Sequence, residues 1–424
     1  MLKRYNVDKF LNEYLSLEDS VDLEIKLSVE KICNDVKDNK DAALYKYTKM
    51  YDKVALESLI VTKEEMKEAF NSVSEKWINA LENAKENIES YHNKQLEKSW
   101  FDNTTEGVIR GEVIRPLEKV GIYVPGGTAA YPSSVLMTAV PAKVAGVSNI
   151  VMTTPPQKDG SIPSETLVAA SIAGVNEIYK VGGAQAVAAM AYGTESVTKV
   201  DKIVGPGNIY VTEAKRFVYG DVGIDMLAGP SEVCIYGDQS AHPSYVASDL
   251  LAQAEHDTLA RVVFITNDNE IANAVNEELE KQLQELPRNK IARESINRGA
   301  YVVVDSIDQA TVLINKMGPE HLEIAIDNPF DFLDRIKNAG SIFLGHYAAE
   351  SLGDYYAGVN HVLPTSGTSR FSSMLSVRDY YTVSGVLYYT KDALKSCSEE
   401  VITLAESEKL TGHARAVEIR VKNE

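Results

Sequence analysis

The spacing of apolar residues changes character near residue 100. Before it, Thr62 and Glu65 make a capping box ahead of Met66, Phe70 and Val73, and Trp77, Leu81, Ala84, Ile88 and Tyr91 follow at helical intervals. Residues 1–100 therefore read as helices with packing stripes, and His92 as a polar residue at the surface end of the second. After it, 108–115 alternates like a strand, and short apolar runs then take turns with helical segments. That alternation predicts parallel sheets covered by helices.

A first series has strands at 119–124, 149–154, 177–181 and 202–204, with helices at 135–144, 165–173 and 184–191 between them. A second series, after Gly229-Pro230-Ser231, has strands at 233–236, 262–266, 301–304, 321–326 and 341–344. Its helices fall at 244–256, 270–286, 309–316 and 330–337. Two series mean two Rossmann-like α/β domains. From Val377 onward the spacing predicts helices, ending in a short segment, 416–421, that reads as a strand. This tail is too short to form a core of its own, so it must pack on something else.

Composition narrows the class. The chain of 424 residues is 44% hydrophobic and 25% charged, as in an ordinary globular protein. Polar residues Asp8, Lys9, Asn12 and Glu13 interrupt any apolar run after Lys3-Arg4, which predicts neither a signal peptide nor a membrane span and points to the cytoplasm. The three cysteines, Cys33, Cys234 and Cys397, are widely spaced, so any metal must be held by nitrogen and oxygen. A net charge of −18 repels nucleic acid and anionic lipid and is compatible with a cationic small substrate.

The candidate chemistry is concentrated in a few stretches. Gly318-Pro319-Glu320-His321-Leu322 sets a carboxylate beside an imidazole on a stiff turn where a helix ends and a strand begins. With a reference pKa near ~6.5, His321 suits proton transfer at neutral pH, and Glu320 could do the same for a water. Two acceptors suit two chemical steps. Gln253 and His256, three apart on a predicted helix, share one face and could converge on an ion, while Glu255 and Asp257 read as solvated acids. Asp354 and His361 lie in a glycine-punctuated loop, 350–361, dense in ionisable and aromatic groups. Glu408 and His413 stand in the tail. The glycine clusters at 125–127, 182–183 and 205–207 fall at strand carboxyl ends, where backbone amides approach phosphates. None is a GxGxxG, so a nucleotide bound here would be bound unconventionally.

Taken together and in order, Tyr123-Val124-Pro125-Gly126-Gly127, Val181-Gly182-Gly183-Ala184-Gln185-Ala186, Gly205-Pro206-Gly207-Asn208, Ala228-Gly229-Pro230-Ser231-Glu232-Val233, Gln253-Ala254-Glu255-His256, Gly318-Pro319-Glu320-His321-Leu322, Gly353-Asp354-Tyr355 and Asn360-His361-Val362-Leu363-Pro364-Thr365 resemble the histidinol dehydrogenase family. The resemblance runs from about residue 20 to the end. It implies four-electron oxidation of L-histidinol to L-histidine through the aldehyde, with two NAD reduced, as the last step of histidine biosynthesis. It implies one zinc ion per subunit on Gln253, His256, Asp354 and His413, holding the substrate by its imidazole and amine. His321 and Glu320 would be catalytic, with Glu320 activating the water that adds to the aldehyde. Ser231, His321, His361 and Glu408, together with the zinc ligands, would contact substrate, and Tyr123, Gln185 and Asn208 would contact NAD.

The resemblance also implies an intertwined homodimer whose tail completes the partner's site, and one α/β domain inserted in the other. The expected divisions are an N-terminal arm at 1–20, a first α/β domain at 21–122 and 232–373, a second at 123–231, and an exchanged tail at 374–424. Two positions depart from the family: Leu227 stands where proline is usual, and His346 where an acid is expected. His346 reads as structural or surface, His242 as a helix cap, and Cys234 as a small buried side chain. Rival readings are a metal-dependent hydrolase, a solute-binding protein, and a different NAD-dependent alcohol or aldehyde dehydrogenase. A catalytic Cys234 would mark the last of these.

Overall fold

Two all-parallel sheets build the larger of two units, Met1–Gln95 with Leu117–Tyr380. The computed structural model describes residues 1–16, 22–126 and 130–422, so Gly127 and the arm boundary expected at 20 lie outside the described residues.

The six-stranded sheet runs in the order Lys3–Tyr5, Ala300–Val303, Arg261–Thr266, Glu232–Gly237, His321–Ala325, Ser341–Leu344. Its central strands are buried along almost their whole length, including Val233 to Tyr236 and Val262 to Ile265. Helices on both faces of a parallel sheet demand such near-continuous apolar runs. The Lys3–Tyr5 edge strand lies inside a region expected to be wholly helical. It has only three residues, and its position comes from pairing with Ala300–Val303 rather than from any pattern of its own.

The five-stranded sheet runs Glu177–Tyr179, Asn149–Thr153, Lys119–Tyr123, Lys202–Val204, Gly223–Ile224. The N-terminal helices Leu23–Tyr51, Lys63–Ser72 and Glu75–Asn93 pack on the helices that cover this sheet. Val29, Ile32, Val36 and Leu44 share one core with Val187, Met190 and Val211. The Thr62–Glu65 capping box is present, with both reciprocal bonds made.

The smaller unit, Leu96–Pro116 with Tyr381–Glu424, holds an antiparallel sheet in the order Tyr381–Tyr389, Val108–Pro116, Trp100–Asp102, followed by helices Lys391–Ser407 and Thr411–Lys422. Two expectations for the tail are corrected. Tyr381–Tyr389 is a strand where helix was expected, because Val108–Pro116 offers it a nine-residue partner. Residues 416–421 are helical although Val417, Ile419 and Val421 alternate. Only Ala414 of that helix is buried, and since no strand pairs there among the described residues, the helix meets its backbone hydrogen bonds internally.

Candidate functional site

The order of the six-stranded sheet reverses between Glu232–Gly237 and His321–Ala325, and the polar cluster gathers at the amino ends of these two strands. Gly318 closes the helix Ile307–Met317 in a left-handed conformation (φ 55°), its N–H donating to Ile314 O at 2.8 Å. Pro319 cannot continue a helix, so Glu320 and His321 enter the strand directly. Both are buried.

The backbone of Glu232 fixes both side chains. Its N–H donates to Glu320 Oε2 at 2.7 Å, and its carbonyl oxygen lies 3.1 Å from His321 Nδ1. A carbonyl oxygen only accepts, so Nδ1 carries a hydrogen and Nε2 is left for chemistry. Nε2 is buried, makes no hydrogen bond, and faces Asp354 Oδ1 at 3.8 Å. Around Nδ1 stand Gln253 Nε2 at 3.5 Å, Glu320 Oε2 at 3.6 Å and Glu350 Oε1 at 3.9 Å.

The helix carrying Gln253 is Pro243–Ala254, shorter than expected. His256 therefore lies beyond its end, in a turn where its N–H donates to Gln253 O at 3.2 Å, and not on the helical face. His242 is the N-cap residue of the same helix, as expected, although its side chain makes no capping hydrogen bond. Asp354 sits on a short helix, Glu350–Tyr355, within a stretch read as loop. Ligand atoms of His256, Glu350 and Asp354 all lie within 4.8 Å of one another.

His361 closes one side. Its Nδ1 lies 3.1 Å from the Asp354 carbonyl oxygen, and its Nε2 lies 3.4 Å from Ser134 Oγ at the start of helix Pro132–Ala145. Next to it the buried Asn360 donates to Met137 O at 2.7 Å and lies 3.1 Å from His92 Nε2, while its Oδ1 accepts from Val362 N–H. His92 is thus fully buried rather than at the surface, and burial pushes its pKa down to about 4.

Electrostatics set the character of the cluster. Burial raises the Glu320 carboxyl to about 8 and Glu350 to about 7. Burial also opposes charge on His321, but Glu350, Glu320 and Asp354 outweigh it and hold the ring well above its ordinary value. Acids outnumber bases here, and Glu350 Oε2 is buried without a hydrogen-bond partner. An unpartnered buried carboxylate oxygen beside imidazole, carboxylate and amide donors fits a divalent cation that accepts nitrogen and oxygen.

The residues expected to meet NAD stand at the carboxyl edge of the five-stranded sheet. Tyr123 is buried, its hydroxyl accepting from Gly183 N–H at 3.0 Å, and Gln185 is buried on the helix that follows. Asn208 caps Ile209–Val218, accepting from the N–H groups of Tyr210 and Val211. A buried Lys215–Asp225 ion pair grips the turn before it. Lys215 Nζ donates to Gly205 O at 3.0 Å, and Gly205 N–H donates to Asp225 Oδ2 at 2.7 Å.

Ser231 ends the connection into the Glu232–Gly237 strand, where its carbonyl accepts from Arg261 N–H at 2.9 Å. Glu408 and His413 belong to the smaller unit and are exposed. His346 pairs with Asp327 at 3.1 Å, in keeping with a structural role, and Cys234 is fully buried. Three contributors escaped the sequence reading. Ser134 carried no signal, but Glu350 opens a segment already noted for its polar density. Glu323 is a charge inside the apolar run 322–326, a visible anomaly.

Parallel sheets with a buried imidazole–carboxylate cluster at the reversal of one of them define an α/β protein whose cluster suits acid–base chemistry. The family model described as histidinol dehydrogenase matches residues 17–421. A histidinol dehydrogenase of Clostridium acetobutylicum is 53% identical over 416 residues, covering 98% of this chain and 96% of that protein. One from Bacillus anthracis is 55% identical over 401 residues, covering 94% and 93%. The crystal structure of histidinol dehydrogenase from Elizabethkingia anophelis superposes with a TM-score of 0.94 at 39% identity, covering 99% of this chain and 98% of that one. This chain belongs to the histidinol dehydrogenase family.

Proposed function

We propose that this protein oxidises L-histidinol to L-histidine through the aldehyde, using NAD and a divalent cation, zinc by the chemistry of the donors. The observation that carries the reading is the bracing of Glu320 and His321 by Glu232, which leaves His321 Nε2 without a hydrogen bond and facing Asp354. Gln253, His256 and Asp354 would hold the metal, with the partner's His413 completing the set. The metal would supply a Lewis-acid grip on the imidazole and amine of the substrate. NAD would accept the hydride in each oxidation.

The chain's own groups do the rest. His321 Nε2 takes the hydroxyl proton of the alcohol, with Nδ1 steadied by the Glu232 carbonyl; a cation held beside Asp354 would offset the carboxylates that otherwise keep the ring protonated. Glu320, held by the Glu232 amide, takes a proton from the water that adds to the aldehyde, and His321 acts again when the hydrate is oxidised. Ser231, His361 and the partner's Glu408 orient the substrate. Burial of Glu320 and His321 keeps bulk water from the aldehyde between the two steps. Exposed apolar residues of the smaller unit, among them Phe101, Val383 and Leu387, favour a second copy as its cover and so a homodimer. Among the described residues no helix is long and apolar enough to cross a membrane, which accords with a cytoplasmic enzyme.

The test is NADH formed per L-histidinol consumed, followed at 340 nm with and without a chelator. Two NADH per histidinol, lost on chelation and restored by zinc, is the expected result. No NADH would overturn the reading and favour a metal-dependent hydrolase.

A further inference from the structure

Behind the catalytic pair lies a second pair of acids that the chemistry above leaves unused. Asp249 and Gln253 are four residues apart on one face of helix Pro243–Ala254, and His321 and Glu323 are two apart on one face of strand His321–Ala325. Helix and strand therefore meet in two rows. Gln253 stands against His321 at 3.5 Å, and Asp249 and Glu323, the next pair along, line one small cavity together.

Glu323 has a second contact. Its Oε1 accepts the backbone N–H of Glu350 at 3.0 Å. Glu350 is the first residue of the short helix Glu350–Tyr355, which carries Asp354 one turn later. The two acids facing His321 on that helix are therefore hung from Glu323, and Asp249 lines the same small cavity beside it. Both Glu323 and Glu350 are buried, so no solvent stands ready to replace a lost acceptor there.

We propose that the Asp249–Glu323 pair is a positioning device that fixes the start of the Glu350–Tyr355 helix and so sets Glu350 and Asp354 at their distances from His321 and His256. Neither acid touches the reacting atoms. Their part is to aim the carboxylates that do, as outer partners aim metal ligands elsewhere. The inference draws its functional consequence from the metal site proposed above, but its structural core does not depend on it.

The experiment compares Glu323→Leu, which keeps the volume and removes the acceptor, with Glu323→Gln. A glutamine at 323 can still accept from Glu350 N–H. Hydrogen exchange of the full chain, read by mass spectrometry over 346–356, is expected to speed up at least tenfold in E323L and to return to the wild-type rate in E323Q. Zinc affinity of the metal-stripped protein, measured by competition with a chromogenic chelator, is expected to fall roughly 10- to 100-fold in E323L only. Should E323L fail to fold, Asp249→Leu, which removes the carboxyl group from the cavity beside Glu323, is expected to give the same local loss of protection. Unchanged exchange over 346–356 in the folded leucine variant, or equal acceleration in E323Q, would overturn the proposal. Wild-type protein that takes up no zinc would overturn the metal reading instead, while the exchange result would still decide this one.

Discussion

The carbonyl oxygen of Glu232 stands 3.1 Å from Nδ1 of His321, and its N–H stands 2.7 Å from the Glu320 carboxylate. One peptide unit pair therefore orients both an acid and a base. Because Glu232 contributes only backbone groups to these contacts, changing its side chain leaves the bracket itself in place.

Glu320→Gln tests the base without disturbing that bracket, since a glutamine oxygen can still accept from Glu232 N–H. Turnover of histidinol to histidine is expected to fall by roughly 10²–10⁴, the usual share of a general base. Circular dichroism and zinc content should be unchanged. A variant within a few-fold of wild type would remove Glu320 from the mechanism.

His92 makes stability depend on acidity. Its folded-state pKa is depressed to about 4, whereas the unfolded chain takes up the proton near ~6.5. Between these values the unfolded state binds more protons, so stability is lost as pH falls from about 6.5 towards about 4 and the loss then levels off. Urea melts of wild type and His92→Gln across that window check the sign. The wild-type protein should lose more stability than the variant.

Cys234 separates this chemistry from that of a thiol-dependent dehydrogenase. It is fully buried, and burial, first, and then Glu232 raise its pKa far above the ordinary thiol value. Cys234→Ala is expected to keep histidinol oxidation within about twofold and to cost on the order of 1 kcal/mol in a chemical melt. Loss of all activity in a folded variant would favour a thiol nucleophile.

Metal removal should show in stability as well as in activity. Chelation of the proposed metal would leave the crowded carboxylates around His321 without a counter-ion, and adding zinc at about 100 times its dissociation constant is expected to restore about 2.7 kcal/mol. Differential scanning calorimetry of stripped and reloaded protein reads this directly. Magnesium at the same concentration should restore little, because imidazole donors suit zinc and not magnesium.

Much of the frame was legible in the chain. The apolar runs at Val233 to Tyr236 and Val262 to Ile265 announce buried parallel strands, and Gly318-Pro319 announces the turn that delivers Glu320 and His321. What escaped depended on partners distant in sequence. Tyr381–Tyr389 becomes a strand only because Val108–Pro116 lies open beside it, and His92 looks exposed until Asn360 meets it from a segment far along the chain. His256 was assigned to a helical face by spacing alone, whereas the helix stops at Ala254. Glu323 could have been noticed, since a charge within a buried strand requires a partner.

The edge strand Lys3–Tyr5 pairs with Ala300–Val303, so the beginning of the chain cannot take its place until that later strand exists. At ~5–20 residues per second, a ribosome needs on the order of 15–60 s to make the intervening stretch. For that interval Phe10 and Tyr14, which end up buried against strands of this sheet, have nowhere to go. An emerging chain of this kind is a natural client for chaperones that shield nascent apolar segments. Its yield in a cell is expected to respond to translation speed more than its melting temperature would suggest.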